Sequence, residues 1–374
     1  MGTLKDLYHS RADIDFPKLF RPMLILSGVL VLASIVSLAV QGLNLSIDFE
    51  GGAVWEVPGN ELSISEANGV LGEFGLDSGA KVQEAHIQDG TRLLRIQADA
   101  KDVTESRKVA ARLAEVAKVD TQDVTTNTVG PSWGNEITKQ AGVALVVFFV
   151  VITLYMSWQL EWRMALSGLA AVIHDVLVTV GIYSIFGFEV TPPTVISFLT
   201  ILGFSLYDTI VVYDRVLENS ARYDRSERYT YTAIVRRSLN QVFMRSLNTT
   251  VVAILPVVAL VTIGTFVFDQ PTLQEFSLAL FIGLVVGAYS SVFVASPVLM
   301  LLKEREPRYQ RLRERARQRH DEAAEWIHPA DARHAPMPGA ATATLPADAP
   351  ARVVKAAQYQ RPVPPRPRKQ GKKR

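Results

Sequence analysis

Two aspartates in apolar surroundings carry the most chemical information in this sequence of 374 residues. Asp208 stands inside a long apolar run that begins after Pro192-Pro193, and Asp175 stands inside the preceding run, next to His174. A carboxylate at bilayer depth costs about 2.5–3.5 kcal/mol even on a lenient insertion scale, so such a group is a functional candidate by default. Its chemistry would be the uptake and release of a proton. The expected partner of Asp208 is Arg245. With Asp214 marking the end of the fourth apolar run, Asp208 lies about 9 Å inside it at ~1.5 Å per residue, and Arg245 enters the fifth run from the same side, about a turn deep. Arginine nearby favours the ionised acid, whereas burial favours the neutral one.

Each of these residues also has a plainer reading. Asp208 and Arg245 could form an ion pair that only packs two helices, and Asp175 could be hydrogen-bonded within the bundle. Asp214 and Arg215 read as rim residues whose charged ends reach water cheaply. His174 lacks neighbours at metal-ligand spacing, so no metal site is expected. Asp175 and Asp208 could form the dyad of an intramembrane protease, but such a dyad must share a proton. An arginine as the nearest partner of Asp208 argues against it.

Six apolar runs are long enough to place these groups in a bilayer, which takes roughly 20 helical residues. They are Phe20–Val40, Gln140–Trp158, Met164–Phe186, Thr194–Val212, Phe243–Phe266 and Phe276–Leu302. The first is too long for a signal-peptide core and reads as an uncleaved anchor. Gly283 and Gly287 in the sixth run have the spacing that lets another helix approach closely. Lysine and arginine cluster before the first run, between the fourth and fifth and after the sixth, so both termini are expected on the cytoplasmic side.

The segment 43–139 would then lie outside. It reads as a small α+β domain in the order βαββαβ, a ferredoxin-like plan. Ala53–Val57 is a strand, Ser63 and Glu66 form a capping box opening a helix to about Phe74, and Lys81–Gln88 and Thr91–Gln97 flank an Asp89-Gly90 turn. Asp102–Lys118 is helix-periodic and Thr121–Val129 is a strand rich in threonine and valine. The division expected is 1–19 cytoplasmic, 20–42 first span, 43–139 outer domain, 140–302 bundle and 303–374 a basic tail that is mostly disordered.

The near-neutral net charge of +2 hides an acidic outer segment set against that basic tail. The tail is either a solvated run that reinforces topology or a contact for anionic lipid or ribosomal RNA. The sequence has no cysteine, which excludes disulfides, thiolate catalysis and cysteine-ligated metal.

Several ordered motifs resemble one family. They are Asp48-Phe49-Glu50-Gly51-Gly52 after the first run, Gly130-Pro131 before the second, Ile173-His174-Asp175, Asp208-Thr209-Ile210 through Tyr213-Asp214-Arg215, and Arg245-Ser246-Leu247-Asn248. Together they are similar to the SecD/SecF family of protein-export membrane subunits, over about residues 20–302. The resemblance implies a resistance-nodulation-division-like helical bundle in the bacterial inner membrane. Such a subunit works with SecD beside the SecYEG channel, driven by the proton motive force, on a translocating preprotein. It implies no cofactor and no hydrolytic activity, and it carries the proton relay onto Asp208, Arg245 and Asp175. Tyr207 departs from the asparagine common beside that aspartate. A passive scaffold that moves no proton is the competing expectation. Six spans are half the usual number for this transporter class, so a second membrane chain is expected to supply the rest.

Overall fold

The computed structural model describes residues 14–58, 62–86, 92–100, 102–223, 228–264 and 271–319, together with 324, 326 and 327. The Asp89-Gly90 turn, the tail beyond 328 and the basic residues Lys5 and Arg11 lie outside the described residues.

The first long helix, α1 (Phe16–Val40), spans 25 residues, roughly 37 Å at 1.5 Å per residue and enough to cross an apolar layer of about 30 Å. A short strand β1 (Asn44–Leu45) and one turn of helix, α2 (Ile47–Glu50), lead into an α+β unit. Its elements are β2 (Gly52–Pro58), α3 (Ile64–Glu73), β3 (Lys81–His86), β4 (Arg92–Ala98), α4 (Val103–Ala117) and β5 (Thr125–Val129). The antiparallel sheet has the order β3-β4-β2-β5. The fifth strand is shorter than its threonine-rich sequence suggests, because Thr121–Asp123 forms a 3-10 turn on the Asp120 side chain.

Local chemistry explains the two helices of this unit. The Ser63 hydroxyl accepts from the Glu66 amide while the Glu66 carboxylate accepts from the Ser63 amide, satisfying two donors at the start of α3. Asp102 caps α4 by accepting one hydrogen bond, from the Glu105 amide at 2.7 Å. Both helices cover one face of the sheet around Trp55, which is fully buried and donates its indole N–H to the Ser106 carbonyl at 2.9 Å.

The remaining helices form the bundle: α5 (Pro131–Gln159), α6 (Trp162–Phe186), α7 (Pro192–Tyr223), α8 (Tyr231–Ile263) and α9 (Pro271–Ser290). The last continues through a π-helical turn, Ser291–Ala295, into α10 (Ser296–Glu304) and then α11 (Pro307–Arg319). Five of these stretches, together with α1, are long and apolar enough to cross a membrane, making six among the described residues. Their helices outrun the apolar windows. α5 starts at Pro131, whose missing N–H costs nothing in the first turn. The extensions of α7 and α8 pair with each other, Asn219 donating to Ser238 Oγ at 2.9 Å and to Gln241 Oε1 at 2.8 Å.

A short ladder and an ion pair are among the contacts that tie the α+β unit to the bundle. β1 pairs in parallel with β6 (Glu189–Val190), the connection between α6 and α7. Beside it, Arg95 of β4 forms an ion pair with Glu189 at 3.0 Å. Neither is visible as periodicity in the sequence, since each involves only one or two residues per segment.

Candidate functional site

Asp175 on α6 and Asp208 on α7 both point into the bundle, with 1% and 4% of their surface exposed. Asp208 Oδ2 accepts from the Ser246 hydroxyl of α8 and from the Ser291 hydroxyl at the head of the π turn, both at 2.6 Å. Asp175 Oδ2 accepts from Ser205 of α7 at 2.6 Å and from Ser290, the last residue of α9, at 2.8 Å. The other oxygen of Asp175 lies 3.1 Å from His174 Nδ1. The His174 Nε2 atom is buried and has no hydrogen-bond partner among the described residues. Four helices therefore converge on two carboxyls that are held almost entirely by hydroxyls.

Glycine makes this convergence possible. α7 and α9 pack so closely that a Cβ on Gly287 would come within 2.8 Å of Ser205 Cβ, and one on Gly283 would collide with Ile201. A larger residue at position 287 would push away the serine that serves Asp175.

The expected pairing of Asp208 with Arg245 is not what the structure shows. Arg245 is exposed on the outer surface of the bundle, and among the described residues it forms no ion pair with Asp208. The reason is rotation about the helix axis. Consecutive residues on an α-helix differ by about 100°, so α8 presents Ser246 to Asp208 and must turn its neighbour Arg245 away. The two residues share a depth but not a face.

The other motif residues are dispersed. Asp214 is exposed at the end of the fourth span. Arg215 donates to Gln241 Oε1 at 2.6 Å and pairs with Glu218, so it locks α7 to α8 as well as marking the rim. Gly130 caps α5 and Pro131 opens it. Gly51 and Gly52 have φ of 84° and 112°, and a Cβ on Gly52 would lie 2.6 Å from the Ala98 carbonyl oxygen, so the pair turns the chain sharply into β2. Asp48 accepts from Ser46 at 3.3 Å and lines a cavity of about 280 Å³ between the α+β unit and the bundle, together with Glu56, Arg95, Glu189 and Glu275. A second cavity, of about 250 Å³ and lined mainly by apolar groups such as Leu45, Phe49, Leu145, Val195 and Phe198, reaches Asp175.

Read from the sequence alone, Ser290 and Ser291 have no assigned role, and Ser246 stands only as part of a motif. The available signal was the four-residue row Gly283, Gly287, Ser291. A hydroxyl on the face that glycine opens to a neighbouring helix is well placed to meet that helix's polar groups.

A hydroxyl can donate to a carboxylate or accept from a protonated acid by rotating its O–H. The hydroxyls can therefore satisfy either form of each aspartate by reorienting. Six apolar helices, an α+β unit on one end and buried carboxyls in the interior define a polytopic helical membrane protein with an ionisable site inside its bundle.

The family model described as protein export membrane protein SecD/SecF, C-terminal, matches residues 108–305, and the SecD/SecF GG motif matches residues 36–58. Protein translocase subunit SecF from Streptomyces coelicolor is 42% identical over 84% of this chain and 84% of its own. The SecF of Mycobacterium tuberculosis strain H37Rv is 36% identical over 75% of this chain and 64% of its own. The crystal structure of SecDF, a translocon-associated membrane protein from Thermus thermophilus, superposes with a TM-score of 0.68 at 29% identity, covering 79% of this chain and 39% of that one. The chain belongs to the SecD/SecF family of protein-export membrane proteins, among the SecF translocase subunits.

Proposed function

We propose that this chain is a proton-coupled subunit of the Sec export machinery. With a SecD partner beside the SecYEG channel, it uses the proton motive force to promote preprotein translocation and release. The observation that carries the reading is the pair of buried carboxyls, Asp175 and Asp208, each served by two serine hydroxyls. A carboxyl in such a site can bind and lose a proton as access alternates, and the driving force is about 2.3 kcal/mol per charge for each 100 mV. The names of the relatives support the export role.

A SecD partner is supported by two observations. The Thermus SecDF chain is more than twice the length that this chain covers. Arg245, Asn248 and Tyr207 are exposed on neighbouring stretches of α7 and α8, where bilayer would otherwise meet them. In this reading a carboxylate of the partner faces Arg245, which thereby joins the relay across the subunit boundary and not through Asp208 directly. The α+β unit, with its βαββαβ order, is read as ferredoxin-like and extracytoplasmic. The distribution of basic residues supports an inner-membrane orientation with both termini in the cytoplasm.

The test is Asp208→Asn in inverted membrane vesicles carrying the whole complex. The expected outcome is normal assembly with loss of the stimulation of preprotein translocation by an imposed proton gradient. Full stimulation in that variant would leave the passive-scaffold reading in its place.

A further inference from the structure

Ser290 and Ser291 are consecutive and fully buried, yet they donate to different aspartates on different helices. They stand where α9 gives way to the π turn, a conformation that occurs mostly as single turns, frequently at functional sites. Each hydroxyl also has a second acceptor within its own helix: Ser290 lies 3.2 Å from the Gly287 carbonyl and Ser291 lies 3.2 Å from that of Ala288. A serine whose aspartate no longer needs a donor can turn to that carbonyl. The far end of the π turn is held by Tyr213, which donates to the Ala295 carbonyl at 3.3 Å.

We propose that Ser290 and Ser291 couple the two aspartates, so that a proton on one changes how its serine is bonded, moves the π turn and alters the donor presented to the other. This deepens the proton-handling reading above and rests on it. The serines are positioning residues; the proton binds only to the carboxyls. The other groups at the site are His174 against Asp175, the Tyr289 ring 6.2 Å from the His174 ring, and the donors Ser205 and Ser246 from α7 and α8. Arg245 is exposed and faces away from both aspartates.

The apolar cavity that reaches Asp175 gives a way to read its protonation without measuring transport. A hydrophobic carbodiimide reacts with protonated buried carboxyls, and the pH midpoint of Asp175 labelling can be followed by mass spectrometry in the purified full chain. Ser291→Ala removes a hydroxyl that donates to Asp208, and the expected result is a displacement of the Asp175 midpoint by about one pH unit, the size at which two sites titrate as a pair. Ser246→Ala removes the other donor to Asp208 from a helix outside the π turn, and it is expected to move the Asp175 midpoint much less. No displacement in Ser291→Ala, or equal displacements in the two variants, would overturn the proposal. If either variant fails to fold, the carboxyl C=O infrared band of the wild type and of Asp208→Asn supplies the comparison. An Asp175 band that titrates identically in both overturns coupling. Retained proton-driven export in Asp208→Asn together with a serine-dependent displacement would instead remove the transport reading and leave the coupling in place.

Discussion

At the scale of single residues, the site separates two kinds of charge that the chain places close together. Arg245 is exposed and among the described residues its side chain forms no ion pair, so Arg245→Met is expected to leave thermal stability of the isolated chain within about 0.5 kcal/mol, as surface substitutions usually do. The same variant is expected to reduce co-purification with a SecD partner, and detergent pull-down of the two chains checks both halves of the statement. The identity of the buried acids was legible because an aspartate in an apolar run is conspicuous. The partners were not legible. Depth follows from counting residues, but the face of a helix follows from its rotation, and a single position separates Ser246, which meets Asp208, from Arg245, which meets the surroundings.

At the scale of elements, close approach and capping determine what can be changed. Gly287→Val is expected to destabilise the α7–α9 packing by about 1–3 kcal/mol, the usual cost of overfilling a tight contact, and to displace Ser205 from Asp175. Thermal unfolding in detergent measures the first effect. Trp55→Ala should cost the α+β unit about 3–5 kcal/mol, because the ring fills the centre of its core, and increased proteolysis of residues in β2 and β4 reports it. The capping box adds a pH dependence. Hydrogen bonds from the Ser63 side chain and backbone hold the Glu66 carboxyl below its usual value of 4.5. A lowered pKa in the folded state stabilises above the unfolded value and ceases to do so as pH falls through the folded one. The extra protection of α3 amides in the wild type over Ser63→Ala should therefore narrow below pH 4.5 in hydrogen exchange at matched pH. Strands and helices of this unit were readable from alternation, turn residues and caps. The π turn was not, since it continues an apolar run with no change in composition.

For the whole molecule, the six spans and the appended α+β unit follow from the segregation of apolar and polar sequence into blocks. How the two parts are joined does not, because the junction is made of short pieces such as a two-residue ladder, an ion pair and the Asn44–Gly187 and Thr138–Phe49 hydrogen bonds. The chain has no cysteine, so a cysteine pair introduced at Asn44 and Glu189, which face each other in the ladder, can be cross-linked without competing thiols. If the α+β unit moves against the bundle during export, the cross-linked chain should lose proton-driven stimulation and regain it on reduction, as read in vesicle translocation.

The same junction sets a load path. The Ser46 amide donates to the Val190 carbonyl at 3.0 Å, and Arg95 grips Glu189 one residue earlier, only a few residues before α7 begins at Pro192. A pull on the α+β unit is thus shared among its covalent roots on α1 and α5 and a side branch that reaches the start of α7, the helix that carries both Ser205 and Asp208. Traction on the head of the molecule and the seating of one carboxyl are, mechanically, two ends of the same rod.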